Sequence, residues 1–134
     1  EISTDINPQI ALDFLNSYIN NCNKMRDAIG TLKWIKETPF ATKSLKNTLE
    51  KLIANARSKN PELGLDFDPI FDAQDYPSKG VKLLNFNSET GYATVQGINW
   101  ESFKVTIKVV NQNGQSLVDG CGIINIPENK RAKR

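Results

Sequence analysis

Two hydrophobic periodicities divide this chain, and their order restricts the fold more than any other feature. Up to residue 59 the apolar side chains recur at helical spacing; after residue 80 they alternate at strand spacing. Helices first and consecutive strands afterwards is the pattern of an α+β domain, with helices packed on one face of an antiparallel sheet. A length of 134 residues with 39% hydrophobic composition is enough for one such domain and its core.

Asn7 stands where an N-cap belongs, and Pro8 suits the first helical turn. Ala11, Leu15, Tyr18, Cys22, Met25 and Ile29 then follow a 3.6-residue period, widened by Leu12 and Ile19. That stripe predicts a helix ending at Gly30. A short second helix is expected over 32–37, broken before Pro39. A third begins at the capping residue Thr42, buries Leu45, Leu49, Leu52, Ile53 and Ala56, and places Arg57 and Lys59 at the negative end of its dipole. Strands are expected at 81–86, 92–98, 103–110 and 115–126, with Asn113-Gly114 as a hairpin turn. The chain thus reads as a single domain over 1–134. A helical part spans about 8–59, an acidic connection 60–80, a curved four-stranded antiparallel sheet 81–126, and a basic tail 127–134. Gly120 and Gly122 flank Cys121 without side chains, which would let the long helix approach closely.

The chain has two cysteines and no histidine. Without histidine the common nucleophilic triads lack their base, and a zinc site would have to be completed by carboxylates. No glycine-rich phosphate loop is present, since Gly120-Cys121-Gly122 lacks both the spacing and the following helix. The sequence therefore implies no cofactor and no metal. Cys22 and Cys121 read best as a disulfide tying the opening helix to the last strand; two buried free thiols are the other reading. Closing so long a loop would contribute about 4–5 kcal/mol on the chain-entropy account. A disulfide would also place the protein in an oxidising compartment. On that basis the first residue, Glu1, is expected to follow a removed export signal, with a lipid anchor upstream as a further option.

Asp66, Asp68, Asp72 and Asp75 put four carboxylates within ten residues. The spacing is not that of a calcium loop, and turn caps explain such residues; a partner-binding acidic edge that includes Tyr76 is the functional reading. Residues 24–59 carry nine Lys/Arg against three acids, and 60–78 carry five acids and no base. The lysines fall on solvent faces without aromatic platforms between them, so nucleic acid is not expected as a partner. Strict alternation in the last strand would turn Asp119 toward the core, near Tyr18. There the two could serve a cavity enzyme or small-ligand carrier, by analogy with the tyrosine and protonated aspartate of ketosteroid isomerase. A bulge at Gly120 would instead turn Asp119 away. Trp34, Trp100, Phe40, Phe67 and Phe71 read as core and loop anchors.

The run Leu65-Asp66-Phe67-Asp68-Pro69-Ile70-Phe71-Asp72-Ala73-Gln74-Asp75-Tyr76-Pro77, with the later Val118-Asp119-Gly120-Cys121-Gly122, resembles a family of small bacterial envelope proteins known only as a domain of unknown function. The resemblance implies a cystatin-like, or nuclear-transport-factor-2-like, fold and a location in the periplasm or cell envelope. Together these readings lead to the expectation of a non-catalytic protein-binding domain. In a sharper form it is an immunity protein that neutralises a cell-wall hydrolase toxin through Asp66, Asp68, Asp72, Asp75 and Tyr76.

Overall fold

The computed structural model describes residues 5–132. Lys133 and Arg134 of the expected basic tail lie outside the described residues. Three helices pack on a four-stranded antiparallel sheet of order β1-β2-β3-β4, an α+β architecture. The helices are α1 (Gln9–Cys22), α2 (Thr31–Glu37) and α3 (Lys43–Lys59). The strands are β1 (Val81–Phe86), β2 (Tyr92–Gly97), β3 (Trp100–Gln112) and β4 (Gln115–Cys121). No helix among the described residues is long and apolar enough to cross a membrane.

The helix starts follow local chemistry. Asn7 Oδ1 accepts from the Gln9 amide at 3.0 Å. Thr42 Oγ1 accepts from Leu45 N at 3.1 Å, which satisfies one of the free amides at the start of α3. The end of α1 departs from the expected stripe, because the helix stops at Cys22 rather than running to Gly30. The Asn21 side chain explains the stop. Its Nδ2 donates to Ile29 O at 2.9 Å and its Oδ1 accepts from Ile29 N at 3.1 Å, so the amide imitates a strand partner and folds the chain back. Met25 then sits in the left-handed region at φ 57° and is 77% exposed, and Gly30 precedes α2 as its N-cap.

The core is one cluster of buried side chains. Phe14, Leu15, Tyr18 and Ile19 of α1 and Leu45 and Leu49 of α3 meet Val95, Phe103, Ile107 and Val118 of the sheet. Ile70 and Phe71 of the connection between α3 and β1 belong to the same cluster. Phe71 touches Tyr18, Tyr76 and Phe103 with ring centroids 5.2, 5.3 and 6.0 Å away. Burying a side chain of this size contributes about 2–3 kcal/mol, so the acidic connection is nailed down by its apolar residues.

Strand β4 ends at Cys121, short of the expected Ile126. Gly120 pairs with Lys108 and Val118 with Val109, which leaves Asp119 as the extra residue of a bulge. Gly122 follows at φ +64° and turns the chain back on itself. The expected close approach at these glycines is made by other backbone than α1. A Cβ on Gly122 would stand 2.2 Å from Pro69 O, and one on Gly120 would stand 2.9 Å from Ile124 O. The remaining chain crosses the sheet face opposite the core, where Thr106 Oγ1 donates to Lys130 O at 2.9 Å.

The expected Cys22–Cys121 disulfide is not formed; both thiols are free. The Cys121 sulfur faces the connecting loop instead of the other cysteine. Cys121 is buried and its thiol donates to Ile70 O at 3.3 Å. Cys22 is half-buried one turn beyond Tyr18, within reach of the Asp68 charge.

Candidate functional site

The four aspartates of the loop have separate fates. Asp68 turns inward. Its Oδ1 accepts from Ile70 N at 2.8 Å and Phe71 N at 3.4 Å, and its Oδ2 accepts from the Tyr18 hydroxyl. The Tyr18 oxygen also shares a 2.7 Å bond with Thr31 Oγ1, so a chain of polar contacts runs Thr31–Tyr18–Asp68 between α2, α1 and the loop. The Asp75 carboxylate accepts from the Tyr76 amide at 2.8 Å. Tyr76 lies parallel to Phe71 and donates its hydroxyl to Asn23 Oδ1 at 2.9 Å. Asp72 occupies a left-handed position at φ 54°, which aspartate tolerates, and Asp66 is exposed. The expected acidic edge is therefore dispersed, and among the described residues no group of three or more potential ligands is placed to hold a metal.

Burial sets the electrostatics. It raises the Asp68 carboxyl above its ordinary 3.8, against the lowering effect of the Tyr18 hydroxyl and the two backbone amides. Tyr18 is raised first by burial and then by the neighbouring Asp68 charge, so its phenol stays protonated. Cys22 is pushed up to about 11 by burial and by Asp68. Cys121 is raised for the same two reasons. Neither thiol has the depressed pKa that marks a reactive cysteine.

Tyr18 and Asp119, expected as a pair, have different partners. Asp119, carried outward by the bulge, accepts from Thr42 Oγ1 at 2.7 Å and so braces the start of α3. Between α1 and the sheet the space is filled by Phe14, Tyr18, Phe71 and Phe103, all buried. Neither Tyr18 nor Asp119 lines the clefts at the surface.

The main cleft lies elsewhere. A cavity of about 960 Å³ opens between the start of α2, the second half of α3 and residues 63–69. Its lining includes Thr31, Ile53, Leu63, Leu65, Phe67 and Asp68. Lys33, Glu50, Arg57 and Asp66 also line it. Of the residues singled out from the sequence, Asp66 and Asp68 fall here. Asp75 and Tyr76 line a separate groove with Met25, Ile98 and Trp100. Sequence reasoning assigned Ile53 to the core and Phe67 to an anchoring role, and both are only half-buried. The signal that could have found the cleft is the Leu-Gly-Leu-Asp-Phe run over 63–67. It carries more apolar side chains than a loop needs and has no periodicity to bury them.

Comparison with protein-family models, with curated proteins and with solved structures returned no match.

Proposed function

We propose that this chain is a protein-binding domain whose partner docks at the cleft between α2, α3 and the loop of residues 62–76. One observation carries the reading: an open cleft with apolar walls from Ile53, Leu63, Leu65 and Phe67 lies beside a loop that is fixed from below. Pro69 O accepts from Ile123 N at 3.1 Å, Ile70 O accepts from the Cys121 thiol, and Asp68 is held by Tyr18. Loops held on a rigid scaffold commonly supply binding residues, and a concave pocket that joins apolar walls to polar groups is the default binding site. Leu63, 69% exposed at the rim, is an apolar side chain left for a partner to cover.

With no disulfide formed, the placement in the periplasm or cell envelope rests on the resemblance of the 65–77 and 118–122 runs. So does the sharper form, in which the partner is a cell-wall hydrolase toxin and this chain its inhibitor. In that form Asp66 reaches the partner at the cleft, and Asp75 and Tyr76 at the separate groove.

The test is capture of a partner by the wild-type chain and by Leu63→Asp, a change at an exposed position that leaves the core alone. The expected result is a protein retained by the wild type, lost by Leu63→Asp and kept by Lys130→Glu on the opposite sheet face. Retention that ignores Leu63→Asp would remove the cleft from the interface and overturn the reading.

A further inference from the structure

Asp68 has three donors and no counter-ion. Its oxygens take the Tyr18 hydroxyl and the amides of Ile70 and Phe71, and among the described residues no lysine or arginine pairs with it. Hydrogen bonds offset part of the cost of withdrawing a carboxylate from water; a nearby cation normally supplies the rest. A carboxylate offers about four acceptor sites, and one here is unused. Asp68 lines the cleft, so that site has an approach from outside.

The other charges of the cleft, Lys33, Glu50, Arg57 and Asp66, are exposed to solvent. Glu50 pairs with Lys36 at 3.3 Å. Arg57 lays its stem along the loop, with Cγ 3.3 Å from where a Cβ on Gly64 would stand. Apolar side chains of Ile53, Leu63, Leu65 and Phe67 line the cleft together with Asp68. Apolar walls beside a carboxylate match an alkyl stem ending in a cation. A cavity of about 960 Å³ is also far larger than a lone amine fills, which leaves room for the chain that carries such a stem.

Resting on the binding reading above, we propose that the cleft takes a lysine or arginine side chain of a partner protein, its stem along Leu63, Leu65 and Phe67 and its cationic head on Asp68.

Two capped alanine pentapeptides, one with lysine and one with norleucine at the centre, test this by NMR titration against free butylammonium. The lysine peptide is expected to shift the amides of Thr31, Phe67 and Asp68 saturably. The norleucine peptide should bind about tenfold or more weakly, since it lacks the charged hydrogen bond. Butylammonium should also bind about tenfold or more weakly, since it lacks the flanking chain. Asp68→Asn keeps an oxygen for the loop amides and should reduce the lysine peptide to the norleucine level. Equal binding of the two peptides overturns the cationic assignment while leaving the cleft a binding surface. Butylammonium binding as tightly as the lysine peptide overturns the assignment to a protein partner. Binding of neither peptide overturns this proposal and leaves the function above to the Leu63→Asp capture. Should Asp68→Asn fail to fold, the wild type decides: the lysine peptide must lower the pH at which the Asp68 carboxyl carbon titrates, and an unmoved midpoint overturns the proposal.

Discussion

The phenol of Tyr18, on the opening helix, donates to the carboxylate of Asp68 in the loop before the sheet. This bond joins parts of the chain 50 residues apart and ends a polar chain that begins at Thr31. It also holds the Asp68 side chain turned inward.

Removing that hydroxyl should cost more than an ordinary hydrogen bond. Tyr18→Phe leaves Asp68 Oδ2 with one donor fewer in a half-buried setting, and a buried group left unsatisfied costs about 1–3 kcal/mol. Urea unfolding should show the loss as a lower midpoint at unchanged slope. The Asp68 carboxyl, deprived of a donor that favours its charged form, should titrate at higher pH still. A wild-type midpoint in Tyr18→Phe would show that the bond contributes nothing to stability.

Asp68 also gives stability a pH dependence of unusual sign. Its pKa in the fold is raised above the ordinary 3.8 by burial, so the folded state holds its proton longer than the unfolded state does. The contribution is therefore fully present below pH 3.8 and is lost as pH rises through the folded value. The difference in unfolding free energy between wild type and Asp68→Asn should fall across that window and be flat above it. A difference that grows with pH would contradict the burial argument.

Both cysteines should behave as protected thiols. Intact mass should be the same with and without reductant. With a thiol pKa of about 11, Cys22 should alkylate slowly near neutral pH and about tenfold faster per pH unit until that value. Cys121, buried beneath Ile70, should label only on unfolding. A two-hydrogen mass gain on reduction would restore the disulfide.

Gly122 is the position where one methyl group should do most harm. Its φ of +64° disfavours any side chain, and the added carbon would stand 2.2 Å from Pro69 O and 2.5 Å from Ile70 O. Gly122→Ala should destabilise by about 2–4 kcal/mol, through backbone strain and displacement of the loop together. Urea unfolding checks the size. Exchange at the Ile123 amide, which donates to Pro69 O at 3.1 Å, checks the place. The same change at Gly30, where an added carbon meets nothing within 4 Å, should be tolerated.

Much of the architecture was legible because its signals are local. β1 spans Val81–Phe86 as the turn residues that flank it require, and Thr42 caps α3 as its side chain allows. The misjudged positions are those decided by distant partners. Nothing near Asn21 announces that its amide will pair with Ile29 and end α1 early. For Asp119 the structure forms the bulge at Gly120 that was the alternative to strict alternation, and its place opposite Lys108 and Val109 depends on how β4 registers with β3. The four aspartates of the loop look equivalent on paper. What separates Asp68 is Ile70 and Phe71 just after it, which drag that stretch inward, and a buried tyrosine hydroxyl that needs an acceptor. The cleft was missed because its walls come from three separate segments.

The seat of Pro69 and Ile70 against the turn after β4 has a consequence for biosynthesis. A nascent chain that has emerged only to residue 120 already possesses its helices and the whole of the acidic segment. It still lacks the Cys121 thiol and the Ile123 amide on which that segment rests. The wall that this segment gives to the cleft is therefore finished only after the turn beyond β4 leaves the ribosome, and a chain cut short there lacks its support.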